Sequence, residues 1–416
     1  MSNAANPPPF DGDALPVADA LQRIGALVAP VSGEETVGLS LALDRILAAA
    51  VISAVDVPSH DNAAMDGYSF ASADLQAGKV SSLPVVGEAF AGRPFEGLPP
   101  AASAIRVMTG AVMPPGHDTV VAQELVEREA DIVHIPAGQT AGQNRRLRGE
   151  DLERGKPALT AGQRLGPAEL GLLASLGMNN VTVRRRLRVA ILSTGDELQA
   201  PGSMLQAGQI FDSNRYTLAA MLTRMGVEVI DLGIVRDDPI ALERTLREAS
   251  GKADAIISSA GVSVGEADFT RTVMAKLGTV DFCKIAMRPG RPLAFGQLGR
   301  ALYFGLPGNP VAVMITFVFL VRDALLAMAG ARAIPRPTIK ARAGGPIRKR
   351  AGRTEYQRAL LERDRDGIPV VRLMPNQGSA VLSSMSLAHC IVVLEHERAS
   401  VAQGDWVDCV PMDLLT

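Results

Sequence analysis

The sequence predicts a multidomain protein of the α/β plus β class, with a central parallel sheet and helices on both faces of that sheet. Its 416 residues, 47% of them hydrophobic, exceed the size at which a single core keeps growing. Strand-like and helix-like segments alternate from residue 187 to residue 330. Short apolar runs separated by glycine and proline lie on either side of that region and indicate additional β structure.

The N-terminal half begins with a proline-rich stretch that is followed by a helix. Residues 1–12 have the composition of a disordered tail and lack the basic and apolar segments of a secretory signal. The apolar residues between Val17 and Val28 share one helical face. The run from 57 to about 135 predicts a small β domain. Pro167 is placed to open a second helix, because the first helical turn tolerates proline.

The central region predicts three strand–helix pairs in succession. The predicted strands cover 189–192, 227–232 and 255–258, and the third precedes a helix over 268–277. Repeated units of this length predict a parallel sheet, whose ligands bind outside the carboxyl ends of the strands. Short strands past Pro337 predict a second β unit at the C-terminus.

Composition and motifs exclude several classes of function. A net charge of −2 gives no global attraction for nucleic acid, and the basic run at 184–186 is interpreted as a solvated face or a small-anion site. The longest apolar run, 311–321, is shorter than the ~20 residues of a membrane span. Three cysteines without a CxxC pair suit a reducing cytoplasm. No P-loop, GxSxG or HExxH motif occurs.

The loops after the predicted central strands combine small residues with acids. Glu197 follows the first strand, Asp237 the second, and Asp268 the third, where the loop 258–268 has almost no bulky side chains. Small residues let backbone N–H groups approach a phosphate, and acids beside a phosphate imply a bridging cation such as Mg²⁺. The alternative is that the acids only cap helices, each stabilising its helix by ~1 kcal/mol.

A basic turn and a proline-rich loop follow in the same region. Lys284, Arg288 and Arg291 lie in a turn stiffened by proline and glycine and are suited to a tetrahedral anion, although an exposed basic turn has the same composition. The loop from Pro307 to Pro310 leads into a long apolar helix. Capping accounts for its last two residues and leaves the preceding Pro–Gly pair unexplained.

Three further clusters lie outside the central region. They contain Asp66, Thr109, and the pair Arg146 and Asp151. Each cluster taken alone is compatible with a turn whose surface ion pairs contribute under ~1 kcal/mol.

Taken together, these segments resemble the molybdopterin molybdenumtransferase family, the MoeA-type proteins that also form the E domain of gephyrin. Seven strings match in order over nearly the whole chain: DNAAMDGY (61–68), MTGA (108–111), RGED (148–151), STGDEL (193–198), GVSVGEAD (261–268), MRPGRP (287–292) and LPGNP (306–310). Two positions depart from the family pattern. Ala260 stands where paired glycines are usual, and Arg288 and Arg291 stand where lysines are usual.

The resemblance implies an enzyme that hydrolyses adenylylated molybdopterin with Mg²⁺, ligates molybdate to the dithiolene, and releases molybdenum cofactor and AMP. It implies an extended N-terminal domain in two parts (13–56 and 144–186), an inserted β domain (57–143), a MogA-like molybdopterin-binding α/β domain (187–333) and a C-terminal β-barrel (334–416). It also implies a homodimer, whose active site lies between the α/β domain of one subunit and the inserted domain of the other.

The resemblance assigns site residues by motif. Glu197, Asp237 and Asp268 match the acids at the metal and the pyrophosphate, and the outer residues Asp66, Thr109 and Asp151 match further catalytic positions. The residues that match substrate or molybdate positions are Arg146, Ser263, Lys284, Arg288, Arg291, Pro307, Pro310, Arg358, Ser379 and Ser384.

The expected partners are a second copy of the chain, small-molecule substrates, the molybdopterin adenylyltransferase and molybdoenzyme chaperones, with no nucleic acid and no membrane. Three alternatives stay open at this point: a non-catalytic scaffold, a molybdopterin adenylyltransferase, and a nucleotide-binding α/β protein of another pathway. The acids at the strand ends argue against a scaffold, and an adenylyltransferase would not need the outer β domains.

Overall fold

The computed structural model of the protein describes residues 13–261 and 267–415, without the side chains of residues 267–269. The predicted N-terminal tail, Ser263 and the side chain of Asp268 therefore lie outside the described residues.

The N-terminal segment consists of one helix and two short strands: α1 (Val17–Leu27), β1 (Glu34–Gly38) and β2 (Val51–Ile52). The predicted apolar stripe of α1 is confirmed, since Ala20 and Ile24 are buried. Both belong to the core of the central sheet. Leu15, just before the helix, pairs with Ile285 of the central region. Helix α1 is thus packed onto the central sheet.

The predicted small β domain is confirmed. Its strands are β3 (Asn62–Ala63), β4 (Gly67–Phe70), β5 (Ser81–Ala89), β6 (Ala104–Val107), β7 (Thr119–Ala122), β8 (Glu127–Glu129) and β9 (Ile132–Ile135). Six of them form a sheet in the order β7-β4-β6-β5-β9-β8. Alternating apolar side chains of this sheet form two small cores.

The chain then returns to the N-terminal segment through β10 (Arg145–Arg146), β11 (Pro157–Leu159), α2 (Pro167–Ser175) and β12 (Asn180–Arg184). Strand β10 pairs with β3, β11 with β2, and β12 with β1. Pro167 opens α2 as predicted, and the Glu169 carboxylate accepts a hydrogen bond from the backbone N–H of Gly166. These pairings insert the β3–β9 region between two halves of one structural unit.

The central region contains nine strands and five helices in its described part. The strands are β13 (Arg188–Thr194), β14 (Leu198–Gln199), β15 (Ile210–Phe211), β16 (Glu228–Val235), β17 (Ala255–Ser259), β18 (Gly278–Lys284), β19 (Met287–Arg288), β20 (Pro292–Leu298) and β21 (Ala301–Leu306). The helices are α3 (Asn214–Arg224), α4 (Pro239–Lys252), α5 (Ala267–Leu277), α6 (Pro310–Thr316) and α7 (Arg322–Met328).

The central sheet has the strand order β16-β13-β17-β21-β20-β18. The sequence predicted a parallel sheet, but the observed sheet is mixed. Strand β20 runs antiparallel to both of its neighbours. Strands β20 and β21 are joined by a two-residue turn, a connection that only antiparallel strands permit. Helices α1, α3, α6 and α7 cover one face of the sheet, and α4 and α5 cover the other.

Helices α6 and α7 are continuous through a π-helical segment, Phe317–Val321, and form one helix from Pro310 to Met328. In the sequence, the apolar run ends at residue 321 and is too short for a membrane span. The helix itself has 19 residues and is long and apolar enough to cross a membrane. Its most apolar window is 67% buried inside the protein. The helix is therefore accounted for as a core helix, which packs on the central sheet.

The C-terminal region forms the barrel that the resemblance implied. Its elements are β22 (Ile339–Ala343), β23 (Thr354–Arg363), β24 (Pro369–Leu373), α8 (Ser383–Leu387), β25 (Cys390–Leu394) and β26 (Trp406–Pro411). The strands pair in the circuit β23-β24-β22-β26-β25-β23, which closes a five-stranded barrel. Strand β19 of the central region adds to β23 in parallel and joins the basic turn to the barrel.

Candidate functional site

The basic turn and the loop after β21 enclose a cavity against the barrel, called here the basic-turn cavity. It has a volume of about 450 Å³ and is lined by residues 288–292, 307–309, 312 and 377–379. The backbone N–H of Val311 donates to the carbonyl oxygen of Ser379 at 3.0 Å. The fold thus brings Arg288, Arg291, Pro307 and Ser379 together from three distant parts of the chain, with Pro310 at the start of the adjoining helix α6.

A buried guanidinium lies directly behind this cavity. Arg358 is 0% exposed and donates to the Ser384 hydroxyl at 3.0 Å and to the carbonyl oxygens of Asn376 and Gly378 at 3.2 and 3.0 Å. All of these acceptors are neutral, and its Nη1 is buried without a hydrogen-bond partner. Burial, and then the positive charge of Arg288, lower the pKa of Arg358. A desolvated cation of this kind favours a bound anion.

Lys284 does not share the basic-turn cavity. It lines a separate cavity of about 580 Å³, called here the Lys284 cavity, together with Arg23 of α1 and Arg271 of α5. Pro292 lines both cavities, so the segment 284–292 separates them. The three cations that the sequence grouped in one turn therefore serve two different surfaces.

The loops after β13 and β16 meet at the carboxyl edge of the sheet. The backbone N–H of Asp237 donates to an Asp196 carboxylate oxygen at 3.3 Å. Glu197 is exposed and folds back over Gly195, where an added Cβ would lie 2.5 Å from a carboxylate oxygen of Glu197. Gly195 has φ of 143°, a backbone conformation that residues with a Cβ rarely adopt. The loop geometry thus holds Glu197 and Asp237 on neighbouring strand ends.

The alternative interpretation was that the acids at the strand ends only cap helices. It applies to Asp238, the neighbour of Asp237. Asp238 accepts from the backbone N–H groups of Ile240 and Ala241 and caps α4, whereas Glu197 is followed by strand β14. Among the side chains that the structure describes, no three His, Cys, Asp or Glu residues form a metal-binding group. The predicted third ligand, Asp268, lies outside that set.

Asn309 occupies the N-cap position of α6, but its side chain makes no capping hydrogen bond. The expectation that capping accounts for this residue is therefore wrong. Asn309 instead lines the basic-turn cavity, next to Pro307 and Gly308.

The loop after β17 begins with two residues in left-handed backbone conformation. Ala260 has φ of 72° and Gly261 has φ of 73°. The backbone N–H of Ala260 donates to the carbonyl oxygen of Leu306 at 3.1 Å, which fixes the loop against the end of β21. Thr194, 6% exposed, has its hydroxyl unpartnered, and an added Cβ at Gly261 would lie 3.0 Å from that oxygen. A polar atom therefore faces the small-residue loop.

Sequence reasoning missed the segment 212–215, which connects the ends of β13 and β17, the loop after β21 and the middle of β16. The Asn214 side-chain N–H group donates to the Ser259 hydroxyl at 2.7 Å and to the carbonyl oxygen of Gly308 at 2.6 Å. Asp212, 1% exposed, accepts from the Ser193 hydroxyl at 3.0 Å and from Arg215 Nε at 2.9 Å. Arg215 also bonds Asp231 of β16 at 2.5 Å. In the sequence these residues resemble an ordinary start of helix α3, so no local signal separates them from a cap.

The outer clusters form one group around β3 and β10. An Asp66 carboxylate oxygen accepts from both the hydroxyl and the backbone N–H of Thr109 at 2.7 Å, and these hydrogen bonds lower the pKa of Asp66. Arg146 pairs with Asn62 across β10 and β3, and the backbone N–H of Asp151 donates to Val57. Over the described ranges, no hydrogen bond or strand pairing connects this group to the acids at the central sheet edge.

Comparisons with known proteins cover nearly the whole chain. Residues 15–177 match the MoeA N-terminal region (domain I and II), residues 190–327 the probable molybdopterin binding domain, and residues 340–412 the MoeA C-terminal region (domain IV). A molybdopterin molybdenumtransferase of Haemophilus influenzae is 42% identical over 383 residues, which are 92% of this chain and 94% of the relative. A Nostoc protein of the same name is 43% identical over 71% of this chain and 70% of its own length.

Two solved structures share the fold over almost all of the chain. The crystal structure of a molybdopterin biosynthesis MoeA protein from Pyrococcus horikoshii superposes with a TM-score of 0.75 at 30% identity, covering 96% of this chain and 99% of that one. A second structure from Pyrococcus horikoshii OT3 has a TM-score of 0.81 at 28% identity, with 95% and 99% coverage.

Proposed function

Because the chain belongs to the molybdopterin molybdenumtransferase family, we propose that it inserts molybdenum by Mg²⁺-dependent hydrolysis of adenylylated molybdopterin, with ligation of molybdate to the dithiolene and release of AMP. The observation that carries the proposal is the buried guanidinium of Arg358, which has only neutral partners beside Arg288 and the basic-turn cavity.

Molybdate, the anionic substrate, fits the basic-turn cavity. Arg288 and Arg291 line it, and Arg358 lies behind its Gln377–Ser379 wall. A dianion offsets the mutual repulsion of Arg288 and Arg358, and its oxygens accept from guanidinium groups in bidentate geometry. Ser384 orients Arg358 through its hydroxyl. We assign Ser379 and Pro307 to the wall that shapes the cavity.

The phosphoanhydride of the other substrate fits the neighbouring strand ends. Small residues end strands β13 and β17, so that no bulky side chain keeps a phosphate away from the loops that follow, and we include Ser263 in the second of these loops by its motif. Glu197, Asp237 and Asp268 would hold Mg²⁺, which uses one or two protein carboxylates and takes its other ligands from water and phosphates. When bound, the ion neutralises charge that develops on the phosphates.

The residues of the outer group act in trans in this proposal. Asp66 and Thr109 are hydrogen-bonded to each other, with Asp66 half-buried and Thr109 exposed, and in the described chain they have no link to the central sheet edge. We propose that a homodimer places Asp66, Thr109, Arg146 and Asp151 of one subunit against the acids of the other. The sulfurs that receive molybdenum belong to the substrate, so the mechanism uses no protein thiolate. The adenylyltransferase, molybdoenzyme chaperones and a cytoplasmic location remain parts of this proposal.

The test is to incubate the protein with adenylylated molybdopterin, Mg²⁺ and molybdate and to identify the released nucleotide by mass spectrometry. Molybdate-dependent AMP release is the expected result. Consumption of ATP with unmodified molybdopterin would instead indicate an adenylyltransferase, and the absence of both reactions would indicate a scaffold. Asp268→Asn should abolish AMP release with folding intact, and normal turnover by that variant would remove Asp268 from the site.

A further inference from the structure

The Lys284 cavity lies at the outer edge of the central sheet. Strand β18 is the terminal strand, and its last residues, Phe282 to Lys284, form one wall. The cavity is completed by the segment 13–16 before α1, by Arg23 of α1, by Arg271 of α5 and by Pro292. Its volume of about 580 Å³ lies within the range of small-molecule sites, about 300–1,000 Å³.

The charge of this cavity is strongly positive. Arg23, Arg271 and Lys284 come from three separate elements, and Asp13 is the one carboxylate among the described residues that line it. None of the three cations forms an ion pair with a carboxylate that the structure describes. Cations that converge from separate elements repel one another, and a multiply charged anion relieves that repulsion.

The guanidinium group of Arg271 also packs against an aromatic ring that lines the cavity. The guanidinium carbon of Arg271 lies 4.6 Å from the centroid of the Phe282 ring, in a cation–π contact that orients the guanidinium plane. Arg271 is exposed, so its side chain remains accessible to a ligand. A guanidinium stacked in this way is suited to contact a flat heteroaromatic ring and to donate to phosphate oxygens.

We propose that the Lys284 cavity is a second anion site, distinct from the basic-turn cavity, and that it binds a nucleoside monophosphate. Arg23 and Lys284 bind the phosphate group, and the base packs on Arg271. A tetrahedral dianion is common to a phosphate monoester and to molybdate, and the stacked Arg271–Phe282 pair favours the nucleotide. The choice of AMP as the natural ligand rests on the proposed function, in which AMP is a product.

Cys283 provides a reporter within the cavity of the unmodified protein. It lines the cavity and is half-buried, whereas Cys390 and Cys409 are buried in the barrel. The experiment measures the rate at which a thiol reagent modifies Cys283 at a fixed alkaline pH, with AMP, adenosine or molybdate added separately. We expect AMP to slow the reaction and adenosine and molybdate to leave it unchanged. Protection by molybdate alone, or by none of the three, would overturn the proposal.

Substitutions in and outside the cavity test whether AMP binds there. Arg23→Glu should weaken AMP protection at least about tenfold, because a charge-assisted hydrogen bond is worth about 1.5–3 kcal/mol. Arg244→Glu makes the same charge change on the exposed surface of α4 and should leave protection intact. Arg271→Ala is a second test if Arg23→Glu misfolds. Equal protection in Arg271→Ala and the parent protein would refute the stacking contact.

The outcome is independent of turnover. AMP protection is an equilibrium measurement, so it can succeed even if molybdate-dependent AMP release fails. Conversely, Arg288→Ala in the basic-turn cavity should lower molybdate use without changing AMP protection of Cys283. A loss of AMP protection in Arg288→Ala would show that the two cavities are one site.

Discussion

The side-chain amide of Asn214 donates a 2.6 Å hydrogen bond to the carbonyl oxygen of Gly308. The same group donates to Ser259, so one residue connects the end of β17 with the loop that lines the basic-turn cavity. Because a carbonyl oxygen can only accept a hydrogen bond, the amide nitrogen of Asn214 faces the carbonyl oxygen of Gly308 and this loop. The phosphate side and the molybdate side of the proposed site are thereby held in one arrangement.

Replacing Asn214 with Asp should impair turnover although the two side chains have the same shape. The carboxylate cannot donate to Gly308 and places negative charge beside its carbonyl oxygen, a loss of about 1–3 kcal/mol. We expect kcat for AMP release to fall about tenfold or more, with a smaller loss in Asn214→Ala. Steady-state kinetics provide the measurement, and Asn180→Asp, at an exposed position of β12, is the control. Equal rates in Asn214→Asp and the parent protein would contradict the role of this residue.

Replacing Arg358 with Met should separate stability from activity. A buried cation without a counterion is costly, and replacing buried charge with an apolar side chain is often neutral or stabilising by about 1–4 kcal/mol. We expect an unchanged or higher Tm together with a large increase in the molybdate concentration needed for turnover. Arg363→Met, on the exposed end of the same strand, should change neither quantity. A Tm that falls while molybdate use persists would argue for a purely structural Arg358.

Replacing Thr109 with Val should raise the pKa of Asp66. The Thr109 hydroxyl is the first cause of the lowered pKa, followed by the Thr109 backbone N–H. A lowered pKa means that the ionised carboxylate stabilises the fold above its unfolded pKa, and that this contribution is lost as pH falls through the folded pKa. In Thr109→Val that loss should begin at higher pH. Carboxyl carbon NMR titration of Asp66 measures the shift, and Thr109→Ser, which keeps the hydroxyl, should titrate like the parent protein.

Mixed dimers should restore activity if the site is shared between subunits. Asp66→Asn and Asp268→Asn homodimers should each be inactive. After subunit exchange, half of the dimers are mixed and each contains one intact site, so we expect about a quarter of the parent activity. An exchanged mixture as inactive as its components would indicate that all of these residues act within one subunit.

Replacing Ala260 with Gly should stabilise the protein. Ala260 has φ of 72°, a left-handed conformation that costs a residue with a Cβ about 1–2 kcal/mol and glycine very little. After the larger unfolded-state entropy of glycine is subtracted, we expect a gain of about 0.5–1 kcal/mol in the free energy of unfolding. Denaturant unfolding measures it. Ala220→Gly in the exposed middle of α3 should instead destabilise by about 1 kcal/mol.

Local patterns in the sequence were sufficient to predict most elements and some of the site. The stripe in α1, the proline at the start of α2 and the strand–helix alternation up to α5 were all confirmed, because each depends on neighbours within a few residues. The motif resemblance added the barrel and the candidate residues. The domain boundaries and the roles of the site residues stay predictions.

The tertiary structure decided which of these residues lie together. The β19–β23 pairing brings Arg288 next to Arg358, while the edge position of β18 places Lys284 in another cavity. The antiparallel direction of β20 and the hydrogen bonds of Asn214 were equally invisible in the sequence. The physical reason is range: backbone preference and burial follow from adjacent residues, whereas the distance between side chains far apart in the chain depends on how all the elements pack.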